Sequence, residues 1–380
     1  MRLAIERPGA EVRALVVGGT GPSGPHIVAA LCERGYEVSV FHRGTHEAPL
    51  PDVEHIHADP HFRATIDTAL AGRRFDVVVA TYGRVRYLAE ALAGRCDQFV
   101  GIGGVSAYHA SMEASDASPY GMKLLAREDE ASFTPGVGED STEWARFGAL
   151  MVATERRVME LHSAGAFSAT YFRYPTIYGP RQVAPSEWSV IRRVLDRRPG
   201  MILPDAGLLV YSRSGARNAA HAVLLAVDRP DAARGRIYNV ADDDQLTLRQ
   251  WMETIAGIMG AHIECISLPR ELAGSAAGIS RAASHVLVDT SRVRAELGYR
   301  DLMPVAEGLR ETVEWYLANP VTPEAYPWLS DEFDYAAEEQ LVGAFREAVG
   351  ALSPGPAAAK FIHPYAHPRD PGQARDHRAR

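Results

Sequence analysis

The segment "SPYGMKLLARE", residues 118–128, sets a tyrosine and a lysine three positions apart, Tyr120 and Lys123. On one face of a helix such a pair would be neighbours. A phenol beside an ammonium can work as an acid–base unit, because the cation favours the phenolate and lowers the phenol's pKa. Lysine is scarce: Lys and Arg together number 40, yet only Lys123 and Lys360 are lysines. A mechanism that needs an ammonium within the core has only Lys123 to draw on.

A second constellation lies near the start. "VVGGTGPSG" places Gly18, Gly21 and Gly24, with Thr20, Pro22 and Ser23 between them, after an apolar run and before a helical period. Glycines at such a strand–helix turn let the backbone bend tightly and approach a pyrophosphate, which then sits on the helix N-terminus. The next strand ends in "VFHRG" with His42 and Arg43, 18 and 19 residues after Gly24. An acidic residue there would bind the ribose hydroxyls of NAD. Arginine pairs well with a phosphate, so NADP is preferred and NAD remains the other cofactor; Arg43 as a solvated loop residue is the plain alternative. Asp59 in "HADPH" ends a third strand, where it either meets the adenine or caps the next turn.

These groups need a scaffold, and the chain supplies one. "RALVVGG", "EVSVFHR", "VEHIHADP", "FDVVVATYG" and "QFVGIGGVSAY" read as short buried strands, with helical segments such as "PHIVAALCERGY" among them. That alternation predicts an α/β fold, a parallel sheet with helices on both faces. Residues 110–143 break the pattern and read as an irregular insertion around a short helical patch. "TEWARFGALMVATERRVMELHSAG" follows as a long helix with Ser141 or Thr142 as N-cap and Gly165 past its end. Further helices are expected in "SEWSVIRRVLDRR", "HAVLLAVDR", "TLRQWMETIAGIMG" and "PVAEGLRETVEWYLANP", and a strand in "RIYNVAD". The Pro-, Ala- and His-rich end, "SPGPAAAKFIHPYAHPRDPGQARDHRAR", reads as a solvated tail without a metal site.

Taken with "FRYPTIYGPR", "GRIYNVADDDQLTLRQW" and "VLVDTSRVRAELGYRD", these segments resemble the atypical extended short-chain dehydrogenases/reductases of the NAD-dependent epimerase/dehydratase family, and the branch that includes the chloroplast stem-loop-binding proteins. The likeness runs over about residues 13 to 317. It implies a Rossmann doubly wound parallel sheet, residues 11–180 and 206–240, with a smaller C-terminal substrate domain, residues 181–205 and 241–325, and an extension from 326 to 380. It also implies a serine after the fifth strand and a Tyr-x-x-x-Lys on the next long helix. Those positions fall here on Gly104, Phe147 and Met151, the last two 26 and 22 residues before Arg173. Tyr120 and Lys123, at 53 and 50 residues, come too early and are spaced by three instead of four.

Phe147 has no proton to give and Met151 no charge. A hydride transfer belongs to the cofactor and survives this loss, but the accompanying proton needs another source. Tyr108 and Ser106 are the catalytic candidates, with Tyr82 and His109 behind them; each is equally readable as packing or loop. The resemblance also sets Tyr82, Tyr174 and Pro175 around the cofactor. On the substrate side it offers Tyr178, Arg181 and Trp188, with Glu187 beside them, and Tyr120 and Lys123 if the insertion folds over the pocket mouth. Arg181 could hold a carboxylate or phosphate, or merely face solvent. The reaction implied is an NAD(P)-dependent oxidoreduction, epimerisation or dehydration of a small hydroxy or keto metabolite. A cofactor-binding regulatory or scaffold protein is the alternative.

Composition narrows the partners. A net charge of −8 argues against a nucleic-acid partner, which needs a basic surface. Cys32, Cys96 and Cys265 are odd in number and far apart, which gives neither a disulfide framework nor a zinc spacing. No apolar run approaches the roughly 18 residues of a membrane span, and the charged start does not read as a signal peptide. A cytoplasmic enzyme with a small-molecule substrate is expected, and a homodimer is left open.

Overall fold

The computed structural model describes residues 12–45, 47–130, 132, 142–274, 284–327, 329, 331–352 and 355. The chain divides into two compact units, one within Met1–Asp334 and one within Tyr335–Arg380.

The first unit opens with β1 (Arg13–Val17), α1 (Gly24–Glu33), β2 (Glu37–His42), β3 (Glu54–His57), α2 (Arg63–Ala69), β4 (Phe75–Ala80), α3 (Val85–Ala91) and β5 (Cys96–Gly104). After the insertion come α4 (Glu143–Ser163), β6 (Ser168–Tyr174), β7 (Thr176–Tyr178), α5 (Trp188–Leu195), β8 (Gly200–Pro204) and β9 (Arg213–Gly215). The remainder is α6 (Ala216–Asp228), α7 (Pro230–Ala233), β10 (Arg236–Asn239), α8 (Leu248–Ile258), β11 (Glu264–Leu268), α9 (Arg270–Ala273), α10 (Ser291–Leu297) and α11 (Val305–Ala318).

Seven strands form one sheet in the order β3–β2–β1–β4–β5–β6–β10, every pair parallel. This is the doubly wound Rossmann arrangement. Continuous apolar runs suit it because successive side chains alternate between two buried faces. Val16, Val40 and Val79 pack on one face against Ile27 and Val28 of α1 and Val223 of α6. Leu15, Val17 and Val78 pack on the other against Ile66, Leu88 and Val158 of α2, α3 and α4. The order reverses at β1, whose neighbours are β2 and β4, so a crevice opens above its C-terminal end.

The long helix α4 begins as its sequence requires. Thr142 accepts from the Ala145 amide at 3.1 Å, and Gly165 turns the chain at φ +76° beyond its end. Its Glu155 holds Arg173 of β6 in two hydrogen bonds, 2.8 and 2.7 Å, and both side chains are buried. Burial alone would lower the arginine's pKa, but the Glu155 hydrogen bonds outweigh it and hold the guanidinium charged.

One expectation meets a different structure, and elements appear that the sequence pattern does not announce. Tyr120 to Lys123 form no helix: Gly121 sits at φ +90°, and between Ala110 and Thr142 the described part of the insertion has a single 3-10 turn, at Ala114–Asp116. Two small parallel pairs, β7 with β9 and β8 with β11, lie outside the main sheet, where the sequence pattern announces none. The second of these packs with α5, α8 and α11 around Trp251, Trp188 and Leu309. In the second compact unit, α12 (Tyr335–Gly350) occupies part of the expected C-terminal extension. Apart from Gly355, the tail from 353 onward lies outside the described residues, as do residues 133–141 of the insertion. No described helix is long and apolar enough to cross a membrane.

Removing one partner of a buried ion pair strands the other without compensation. Glu155→Ala should therefore lose about 3–5 kcal/mol in denaturant unfolding. Asp67→Ala, which breaks the exposed Arg63–Asp67 pair, should lose less than about 1 kcal/mol. Equal losses would remove the special standing given to the buried pair.

Candidate functional site

The turn between β1 and α1 is built by close approach. A Cβ on Gly18, which lies at φ +85°, would stand 2.4 Å from the Tyr82 Cβ. One on Gly24 would stand 2.4 Å from the backbone of Gly19. Gly21 is different. Its Cβ would meet nothing nearer than the Gly18 carbonyl at 3.7 Å, because that side of the residue is open. Ser23 precedes α1 without a side-chain capping bond.

Above this turn lies a cleft of about 890 Å³. Of the residues expected at the cofactor, Gly18, Thr20, Gly21, Pro22, Ser23, His42, Arg43, Tyr82 and Tyr174 line it, and so does Arg181 from the substrate set. Gly24, Asp59 and Pro175 do not. A shape that opens over a glycine turn at a helix start, with cations at its rim, fits a dinucleotide.

At the far end of β2, Arg43 is exposed and its guanidinium lies 5.5 Å from the Tyr82 ring centroid. Asp59 is engaged by the following turn: its Oδ1 accepts from the His61 amide at 2.9 Å and pairs with His61 Nδ1 at 2.7 Å. The backbone bond from His61 lowers its pKa. His42 is buried, and burial, followed by the charges of His57 and His55, lowers its pKa.

Of the three positions that family resemblance assigns to catalysis, Gly104 and Met151 meet beside Tyr174; neither they nor Phe147 and Ser106 line the cleft. A Cβ on Gly104 would lie 3.2 Å from Ser106 Oγ, 3.5 Å from Met151 Cε and 3.6 Å from the Tyr174 carbonyl oxygen. Phe147, one turn earlier on α4, is 45% exposed. The only side-chain hydroxyl among these contacts of the Gly104 position is that of Ser106. Tyr108 is elsewhere: it is buried, its hydroxyl donates to Asn239 Oδ1 at 2.7 Å, and Arg173 lies 4.6 Å from its ring. Burial, only partly countered by Arg173, pushes its pKa up to about 12. His109 is partly buried and does not line the cleft.

Other candidates serve the core. Tyr178 is buried and donates to Asp242 at 2.7 Å; the same carboxylate accepts from Ser214 at 3.0 Å and Asn218 at 2.9 Å. Trp188 is buried with Tyr316, and buried Glu187 accepts from Trp251 Nε1 at 3.2 Å. Tyr120 is 64% exposed, and Lys123 pairs with Glu130 at 2.5 Å. Neither reaches the cleft.

Residues that sequence reasoning missed close the opposite wall. Trp315 of α11, Asn319 just past its end and Tyr326 further on line the cleft, with Gln182 from the loop after β7. Arg181 lies 5.6 Å from the Trp315 ring. No local motif marks these residues, since each belongs to an ordinary amphipathic or loop segment.

Residues 14–115 match the NAD-dependent epimerase/dehydratase family. A 3-diazoavenalumate denitrifying reductase of Streptomyces sp is 30% identical over 267 residues, 66% of this chain and 82% of the relative. This chain belongs to the NAD-dependent epimerase/dehydratase family. Solved structures share the fold of this family member. The UDP-glucose 4-epimerase of Thermotoga maritima with UDP-glucose matches at TM-score 0.64 and 18% identity, over 81% of this chain and 99% of that one. The UDP-glucose 4-epimerase of Thermus thermophilus in complex with NAD matches at TM-score 0.61 and 20% identity, over 82% and 100%.

The glycines separate folding from binding. Gly24→Ala should lower the melting temperature, because its methyl meets backbone. Gly21→Val should leave it within about 2 °C, yet weaken NADH and NADPH binding in calorimetry by about tenfold or more. Unchanged binding in Gly21→Val would mean that the nucleotide does not lie over this turn.

Proposed function

We propose that this chain is an NAD(P)-dependent reductase that directs hydride onto an electron-poor carbon of a small substrate without a protein acid at the reacting centre. The observation that carries this reading is that Gly104, Phe147 and Met151 stand where the family resemblance expects serine, tyrosine and lysine, with Ser106 Oγ, Met151 Cε and the Tyr174 carbonyl oxygen nearest to the Gly104 Cβ position. When bound, the reduced nicotinamide supplies the hydride. Gly18 and Thr20 to Ser23 would hold the pyrophosphate, and Arg43 would pair with a ribose phosphate, so NADP is preferred. Residues 181–205 and 241–325 would form the substrate domain, with Arg181 at its anionic end. Met151 would present an apolar side chain there, and Ser106 would orient what binds.

The substrate class follows from what such a site can do. Reducing a ketone puts a proton on its oxygen, which the usual tyrosine would supply. Replacing a diazonium group needs none: hydride brings both electrons of the new C–H bond, and the C–N pair leaves with nitrogen as N₂. The Streptomyces relative is named for a diazo substrate and for removal of its nitrogen. We therefore assign an aromatic diazo acid as the substrate class. A small hydroxy or keto metabolite is a second reading, favoured by Ser106 Oγ at 3.2 Å from the Gly104 Cβ position.

An assay of NADPH and NADH oxidation against an aryl diazo acid and a carbonyl panel separates these readings. Nucleotide oxidation matched by N₂ release is expected with the diazo acid. Turnover of carbonyls alone would favour the second reading, and tight binding without any turnover would favour a regulatory protein. Losing a charge-assisted hydrogen bond costs about 1.5–3 kcal/mol. Arg43→Ala should accordingly raise KM for NADPH about ten- to hundredfold while changing that for NADH less than about threefold. Equal effects on both would remove the NADP preference.

A further inference from the structure

We propose that His42, His55 and His57 form a binding site for one divalent transition-metal ion of the zinc type, on the β2–β3 edge of the sheet. One ligand atom from each of the three lies within 4.8 Å of the others. The ladder creates the cluster. His42 stands directly opposite His57 on neighbouring parallel strands, and His55, two residues before His57, shares its face of β3. Ring centroids are 5.0, 4.7 and 5.8 Å apart.

His42 Nε2 faces His55 Nδ1 at 2.8 Å. Two ring nitrogens at that distance must share either a proton or a cation between them. His42 is only 3% exposed, and its Nδ1 has no hydrogen-bond partner. Nitrogens bound at about 2.0–2.1 Å to a tetrahedral ion stand roughly 3.3 Å apart. His55 and His57 are exposed and so have room to adjust their rings to that spacing, whereas His42 is buried.

The donor set selects the ion. Three imidazoles suit zinc, cobalt, nickel or copper, whereas calcium and magnesium want oxygen. Three protein ligands leave a fourth position for water. His42 also lines the dinucleotide cleft, directly before Arg43. The ion would thus brace the strand end that carries the ribose-phosphate contact. The metal site stands independently of the reductase reading, since its geometry does not involve Gly104, Phe147 or Met151.

Equilibrium dialysis of the full chain against zinc chloride tests it. One zinc per chain is expected, with affinity falling at least about a hundredfold in H55A/H57A, a pair of exposed positions. The histidine tail is controlled by H363A/H367A/H377A, which should bind as the unmodified chain does. Cobalt(II) should give tetrahedral visible absorption in the unmodified chain and none in H55A/H57A, with both showing the same metal-free circular dichroism. Undiminished zinc in H55A/H57A, zinc lost in the tail variant, or no zinc in the unmodified chain would each overturn the site.

Discussion

The close approach of the α1 N-terminus to the preceding loop is the constraint on which the rest depends. Gly24 lies so near the Gly19 backbone that any side chain would collide at 2.4 Å. That contact fixes where the helix begins relative to the sheet. It also leaves Gly21 facing open space and puts the floor of the cleft at the strand-order reversal. A family fold and a nucleotide cleft follow from a backbone distance that only glycine permits.

The polar groups elsewhere show how the chain has committed its buried chemistry to holding this frame. Arg173 is locked by Glu155, borders the ring of Tyr108 and donates to the Glu128 carbonyl. Tyr108 donates to Asn239, and the Asn239 amide donates to Glu128 Oε1. The network ties α4, the insertion, β6 and β10 together. Tyr108 is thereby committed to Asn239, which leaves Ser106 Oγ as the side-chain hydroxyl nearest to the Gly104 Cβ position.

How much of this is legible in the sequence depends on how local each feature is. The buried strands announce themselves as unbroken apolar runs, and α4 by its cap at Thr142 and the glycine at 165. The glycine turn is readable because strand, turn and helix are contiguous. Tyr120 and Lys123 look helical from spacing alone, but Gly121 at φ +90° breaks the helix that the spacing assumes. Tyr108 reads as a proton donor because its partner, Asn239, is 131 residues away. Trp315 and Tyr326 reach the cleft only through the packing of the later helices. From the sequence His42 reads as a residue at the cofactor and His55 and His57 as parts of a strand, since their meeting requires the register that pairs His42 with His57.

The most direct test of the aprotic site follows the transferred atom. NADPH carrying deuterium at its transferable position should place that deuterium on the carbon that loses nitrogen, in ordinary water, and the rate should be the same in heavy water. Product hydrogen drawn from solvent, or a rate that falls severalfold in heavy water, would contradict hydride delivery without a protein acid.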